Sequence, residues 1–106
     1  MTVVATRVVE TALGPMRVEL DAPVPDGPDS VCVYRISGPA TNRTGRAMGV
    51  DGFQALQLAM ERIGADLRAS EEFEAGPLRW LGMPGPGFPL PEPMRGMGWD
   101  RPGPPT

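Results

Sequence analysis

The sequence contains no histidine and a single cysteine among its 106 residues. Histidine is the commonest general base and metal ligand in proteins, so its absence argues against most acid–base and zinc chemistry. The single Cys32 has no disulfide partner within the chain and no histidine to activate it as a nucleophile. We interpret Glu71, Glu72 and Glu74 as a solvated acidic run. The sequence therefore predicts a non-enzymatic protein without metal or cofactor, in a reducing, cytoplasmic compartment.

Long apolar runs and clusters of basic residues are also missing. No stretch approaches the roughly 20 apolar residues that a membrane-spanning helix needs, and the N-terminus lacks a basic region followed by an apolar block. The formal net charge of -3 and the pI near 4.8 disfavour a nucleic-acid partner, because such affinity comes largely from clustered Lys and Arg. We therefore predict neither a membrane nor a nucleic-acid partner.

Proline and glycine are abundant and are concentrated near the C-terminus. Six glycines and eight prolines lie among the 25 residues from 82 to 106. Such a composition does not bury a core and favours polyproline II and coil. We therefore predict a compact domain in residues 1–81 and a Pro/Gly-rich flexible tail in residues 82–106, largely extended or disordered.

Four segments in the first half of the sequence are typical of β-strands, because they are rich in β-branched residues or alternate between apolar and polar side chains. In the third segment, Cys32, Tyr34 and Ile36 share one face, which we expect to be buried. The prolines of residues 22–30 predict a loop that does not join the sheet. The four predicted strands are residues 2–10, 16–21, 30–37 and 43–50.

The stretch from residue 51 to residue 70 carries the strongest periodic signal. Asp51 and Gln54 have the spacing of a reciprocal N-terminal cap, so we interpret Asp51 as the start of a helix rather than as an active-site carboxylate. The helix is predicted to end by about Ser70, and residues 78–82 add a short edge strand or pack over it. The core stripe of this helix, predicted from spacings of three and four, is Phe53, Leu56, Met60, Ile63 and Leu67.

Several short motifs resemble a family of small bacterial domains of unknown function. They are Y-R-I-S-G at residues 34–38, G-V-D-x-x-Q-A-L-Q-L-A at 49–59, and a closing W-L-G at 80–82 with G-F-P at 87–89. The resemblance covers roughly residues 2–90, and because the family has no assigned activity it implies no catalytic residues. A weaker similarity, to antitoxin domains in which three strands precede a helix with an Ala-Leu entry, implies a protein-binding role.

Together these features predict an α+β fold, in which an antiparallel meander of three or four strands packs against one long α-helix. The leading functional hypothesis is an interaction module of the bacterial cytoplasm, an antitoxin-like or immunity-like binder with an unidentified protein partner. One alternative is a homodimer whose sheet edges pair. The other is a small-molecule or anion-binding domain built around Tyr34, Arg43, Arg46 and Asp51.

The candidate contact residues follow from charge and from a second apolar seam. Arginines on exposed strands hold anions or keep the strands soluble, and Leu58 lies almost opposite the predicted core stripe of the helix. Residues 87–94 are rich in proline and either dock on a partner or fold back over Trp80. The candidate contacts for a partner or an anion are Arg35, Arg43, Arg46, Leu58 and Trp80.

Overall fold

The computed structural model describes residues 2–99 and has an α+β architecture. One antiparallel sheet carries two helices on the same face, and a short 3₁₀ helix follows near the C-terminal end of the described chain. The strands are β1 (Val3–Thr11), β2 (Gly14–Asp21), β3 (Val24–Asp26), β4 (Asp29–Ser37), β5 (Asn42–Gly49), β6 (Arg79–Trp80) and β7 (Met83–Pro84). The helices are α1 (Gly52–Arg68), α2 (Glu71–Ala75) and the 3₁₀ helix (Glu92–Met97).

The sheet contains the predicted meander, in which β1, β2, β4 and β5 pair in chain order. It has seven strands in the described residues, so the prediction of three or four strands was too low. The strands β6 and β7 extend the sheet beyond β1, and β3 pairs with the first residues of β4. The loop predicted over residues 22–30 therefore joins the sheet in part. Proline is tolerated at Pro25 because β3 pairs with β4 alone and lies at an edge.

The inner face of the sheet, defined as the face covered by α1 and α2, forms the core. Cys32, Tyr34 and Ile36 are buried there, which confirms the face predicted for the third strand. The Cys32 thiol donates a hydrogen bond to the Asp21 carbonyl oxygen at 3.3 Å. The outer face of the sheet carries neither of the two α-helices of residues 2–99. The core cluster consists of Val9, Met16, Val18, Leu20, Cys32, Tyr34, Ile36, Ala47, Ala55, Ala59, Ile63, Leu67, Phe73 and Leu78.

The helix α1 begins as predicted but buries a different stripe. The Asp51 carboxylate accepts a hydrogen bond from the Gln54 amide at 2.8 Å, and Gln54 Oε1 accepts one from the Val50 amide at 2.7 Å. Phe53, placed in the core by its spacing, is 85% exposed. Small side chains account for the difference, because they let the helix lie close to β5, where a Cβ at Gly49 would overlap the Ala55 backbone. The buried residues of α1 are Ala55, Ala59, Ile63, Gly64 and Leu67.

A second helix follows at once, and the sequence did not predict it. The helix α1 ends at Arg68, as expected, and the Ser70 hydroxyl caps α2 by accepting a hydrogen bond from the Phe73 amide at 3.2 Å. Neither helix is long and apolar enough to cross a membrane, and the same holds for every other helix within residues 2–99.

The part of the predicted tail that the structure describes, residues 82–99, lies against the domain. Leu90 is buried, and Arg68 Nε donates a hydrogen bond to the Gly98 carbonyl oxygen at 2.8 Å. The rings of Trp99 and Phe73 are perpendicular, with centroids 6.0 Å apart. Residues 85–99, called the C-terminal segment below, therefore cover part of α1. Residues 100–106 of the predicted tail lie outside the described residues.

Candidate interaction surface

The five candidate contact residues lie on separate surfaces. Arg35 and Arg46 belong to the outer face of the sheet, whereas Arg43 pairs in register with the buried Ile36 and belongs to the inner face. Leu58 is partly buried against the core cluster and lines a shallow cavity with Pro91 of the C-terminal segment. Trp80 lies on β6, at the opposite edge of the sheet from β5. The structure therefore does not gather these residues into one site.

Arg35 is held by a buried carboxylate on the neighbouring strand. Its Nη2 and Nη1 atoms contact Asp21 Oδ1 at 2.5 Å and Asp21 Oδ2 at 3.1 Å, and Glu19 lies at 3.7 Å. The hydrogen bonds from Arg35 lower the pKa of Asp21, against the opposing effect of burial. Because this two-point contact satisfies the buried carboxylate, Arg35 serves the fold and has little charge left for a partner.

Tyr34 and Arg43 meet at a third residue that the sequence did not point to. The Tyr34 hydroxyl donates a short hydrogen bond to the Asp66 carboxylate, and Arg43 Nε lies 3.1 Å from Asp66 Oδ2. Burial, together with this carboxylate, raises the pKa of Tyr34 to about 12. Gly45 faces the Tyr34 ring, which leaves no room there for a side chain. The cluster joins β4 and β5 to the last turns of α1.

The anion pocket predicted around Tyr34, Arg43, Arg46 and Asp51 is not assembled. Tyr34 and Arg43 lie on the inner face with Asp66, whereas Arg46 pairs with Val33 on the outer face. Asp51 is engaged as the cap at the opposite end of α1. No group of three or more acidic or cysteine side chains within residues 2–99 has a metal-binding arrangement.

Glu72 is buried, although the sequence indicated a solvated acidic run. Its carboxylate accepts hydrogen bonds from the amides of Ala40 and Thr41 at 2.9 and 2.8 Å, and from the Thr41 hydroxyl at 2.5 Å. Burial alone would raise the pKa of Glu72, but the hydrogen bonds outweigh it and lower the pKa. Glu72 therefore fastens α2 to the turn between β4 and β5.

The most exposed large apolar side chain of residues 2–99 lies where α1 begins. Phe53 is 85% exposed and Val50 is 73% exposed. Beside them, Val31 pairs in register with Val24 on one side and with Met48 on the other, which forms an apolar row across three strands of the outer face. We call the set of Val24, Val31, Met48, Val50 and Phe53 the apolar end.

One close contact and one neighbouring charge define the surroundings of the apolar end. Gly52, next to Phe53, lies so close to Pro23 that a Cβ would be 3.2 Å from Pro23 Cγ, which brings the start of α1 beside β3. Arg46 lies two residues before Met48 on the same face of β5, and no carboxylate of residues 2–99 forms an ion pair with it. An apolar surface therefore borders a cation that has no counter-ion among the described residues.

A family model described as Domain of unknown function (DUF6968) matches residues 5–91. The chain belongs to this family. No curated protein and no solved structure gives a significant match. The match extends the DUF6968 domain past residue 81 into the C-terminal segment, in keeping with the burial of Leu90.

Sequence reasoning missed the apolar end of the DUF6968 domain because it assigned Phe53 to the core. One signal in the sequence indicates the correct stripe. Ala55, Ala59, Ile63 and Leu67 recur at a constant spacing of four, and all of them are buried. Alanines mark the side on which a helix lies close to a sheet, whereas a stripe drawn through the large apolar residues is turned toward Phe53.

Proposed function

We propose that the DUF6968 domain is a non-enzymatic protein-interaction module, an antitoxin-like or immunity-like binder whose partner docks on the apolar end. The exposure of Phe53 carries this proposal, because 85% of an aromatic side chain faces solvent at the start of a well-capped helix. Phe53 adds little to the core, so the fold does not require an aromatic residue at this position. Aromatic side chains that anchor an interface are exposed in this way before binding.

The energetics support a partner protein over a small ligand at this surface. Burying a phenylalanine side chain contributes about 1.5–3 kcal/mol, and the neighbouring Val50, Val24 and Met48 are exposed as well. A flat or convex apolar area suits the side chains of another protein, because small ligands bind in concave pockets. The proposed partner therefore presents an apolar recess to Phe53.

Charge and the open sheet edge define the partner further. Arg46 borders the apolar row and forms no ion pair with a carboxylate of residues 2–99, so a partner carboxylate opposite Arg46 would fix the orientation of the complex. Within residues 2–99, β5 pairs with β4 alone, so one edge of β5 offers main-chain hydrogen-bonding groups to an added strand. The absence of histidine from the sequence supports the non-enzymatic part of the proposal.

Site-specific cross-linking tests this proposal. A photoreactive amino acid placed at residue 53 in the native cell should capture one defined protein, and the same group at residue 81 should not. Leu81 is the matched control, because it is 75% exposed and lies at the opposite edge of the sheet. The captured protein, once purified, should bind the wild-type domain and lose at least about tenfold in affinity with Phe53→Ser.

Two outcomes would count against the proposal. Capture of the same proteins from residues 53 and 81 would indicate contacts without specificity, and an unchanged affinity in Phe53→Ser would remove the apolar end from the interface. Cross-linking of residue 53 to a second copy of the chain, with a dimer in light scattering, would instead support the homodimer alternative.

A further inference from the structure

A separate apolar crevice lies on the inner face, between α1 and the first two strands. The helix α1 packs mainly over β4 and β5, and the C-terminal segment covers β1 and β2 only in part. The crevice that remains has a volume of about 170 Å³. Its apolar walls are formed by Ala5, Val18, Leu20, Met60, Ile63 and Phe88.

The guanidinium of Arg7 lies at this crevice and is held from three sides. It stacks on Trp80 at 3.8 Å from the ring centroid and lies 5.0 Å from the ring centroid of Phe88. Its Nη1 donates hydrogen bonds to the carbonyl oxygens of Pro86 and Gly87 at 3.3 and 3.1 Å. These contacts fix the position of the cation without neutralising it, because aromatic rings and carbonyl oxygens carry no net charge.

The C-terminal segment makes room for Arg7 through a glycine. Gly87 has a φ of +79°, and a Cβ there would lie 2.7 Å from Arg7 Nη1 and 3.2 Å from the Trp80 ring. Both the left-handed backbone and the close approach of the guanidinium favour glycine at this position. The position of Arg7 is therefore fixed by Trp80 on one side and by the backbone at Gly87 on the other.

Arg7 retains hydrogen-bonding capacity toward solvent. No carboxylate of residues 2–99 forms an ion pair with it, and within that range its Nε and Nη2 groups have no hydrogen-bond acceptor. Since no buried side-chain nitrogen or oxygen of the described chain lacks a partner, these N–H groups are accessible. A positioned, half-buried guanidinium with accessible donors is suited to bind a carboxylate at two points.

We propose that this crevice binds a small carboxylate with one apolar group of about benzene size, and that Arg7 pairs with the carboxylate. The volume supports this size, because a cavity of about 150 Å³ lined by Leu, Ile and Phe accommodates benzene. The walls would surround the aromatic or branched hydrocarbon, and the accessible N–H groups of Arg7 would hold the acid at the rim. This site lies on the inner face, apart from the apolar end, and does not depend on the proposed protein partner.

Three related probes test the apolar crevice and the Arg7 contact separately. Phenylacetate carries both the ring and the charge, benzyl alcohol keeps the ring without the charge, and acetate keeps the charge without the ring. Titration of the full chain, followed by amide resonances in nuclear magnetic resonance, should show phenylacetate binding about tenfold more tightly than benzyl alcohol. The resonances of Ala5, Val18 and Phe88 should shift, and acetate should leave them unchanged.

Two variants test the residues, and a third serves as the control. Arg7→Gln should bring the affinity for phenylacetate down to that for benzyl alcohol. Ala5→Leu should abolish binding of both probes, because Ala5 is exposed at the rim and a leucine there would fill the crevice. Arg17→Gln, on the outer face, should bind phenylacetate like the wild type. If Arg7→Gln fails to fold, Ala5→Leu tests the crevice, and the comparison of probes in the wild type tests the contribution of the charge.

Clear results would overturn the inference. Equal affinity of the wild-type domain for phenylacetate and benzyl alcohol would remove Arg7 from the site. Shifts that persist undiminished in Ala5→Leu would place the ring elsewhere, and the absence of any shift with phenylacetate would show that the crevice does not bind this class of ligand.

Discussion

Gly64 of α1 lies so close to Pro89 of the C-terminal segment that a Cβ at residue 64 would overlap the Pro89 carbonyl oxygen. A glycine in a helix interior costs about 1 kcal/mol relative to alanine. Glycine at residue 64 therefore lowers the stability of α1 but lets the C-terminal segment cross the helix closely. The contact explains why the C-terminal segment is able to pass directly over the helix. Leu90, the next residue, is buried as a result.

We predict that Gly64→Ala lowers the free energy of unfolding, although alanine is the better helix former. The added methyl group forces the helix and the C-terminal segment apart, at a cost of about 1–3 kcal/mol. Urea denaturation measures the change, and Gly96→Ala is the control because a Cβ there meets nothing within 4 Å. A stabilised Gly64→Ala protein would contradict the crossing described here.

The loss of stability on truncation should be much smaller at Phe53 than at Ile63, although the sequence predicts the same stripe for both. Phe53→Ser is expected to change the free energy of unfolding by no more than about 0.5 kcal/mol, because the side chain is 85% exposed. Ile63→Ala should cost about 2–5 kcal/mol, as usual for a fully buried side chain. Thermal or chemical denaturation of both variants distinguishes them, and equal losses would restore Phe53 to the core.

The pKa of Glu72 predicts an acid-sensitive contribution to stability. Because hydrogen bonds lower this pKa in the folded protein, the contribution is present above the usual glutamate pKa of 4.5 and is lost as pH falls through the folded-state pKa. Glu72→Gln should reduce stability at neutral pH by about 1–3 kcal/mol, since one of the donors loses its acceptor. It should also flatten the dependence of stability on pH below the usual glutamate pKa of 4.5. Glu71→Gln, an exposed neighbour, is the control.

Tyr34 is the single tyrosine in the sequence, so its ionisation is directly measurable by absorbance. The tyrosinate signal of the folded protein should appear with a pKa of about 12, compared with the usual tyrosine pKa of 10.0. Between these pH values the folded state keeps a proton that the unfolded state has lost, so stability should fall as pH rises. Tyr34→Phe should reduce that slope, and a native tyrosinate signal near the usual tyrosine pKa would refute the buried hydrogen bond.

The main elements of the fold were predictable because local patterns determine them. Alternation identified the face of β4 that carries Cys32 and Ile36, and the spacing of Asp51 and Gln54 identified the cap of α1. Both signals lie within a few residues of each other in the chain. The full count of seven strands was not predictable, because β3, β6 and β7 contain only two or three residues each and depend on their neighbours. For β6 the sequence offered an edge strand over residues 78–82 as one of two alternatives.

The features that sequence reasoning missed depend on contacts between distant residues. Glu72 is buried because the amides of Ala40 and Thr41 converge on it, and no local pattern indicates that turn. The position of Arg7 at the crevice depends on Gly87, which follows it by 80 residues. The apolar end combines β3, β4, β5 and the start of α1, so it exists as a surface only after the chain has folded.

The rate at which a thiol reagent labels Cys32 measures how fast this domain opens. It lies fully buried on β4, between neighbouring strands, and burial, followed by the negative charge of Asp21, raises its pKa. A reagent therefore reacts only when the central strand is released, and the single thiol yields one labelling rate without competing sites. The rate of labelling in native buffer then reports how often the interior of the sheet becomes accessible.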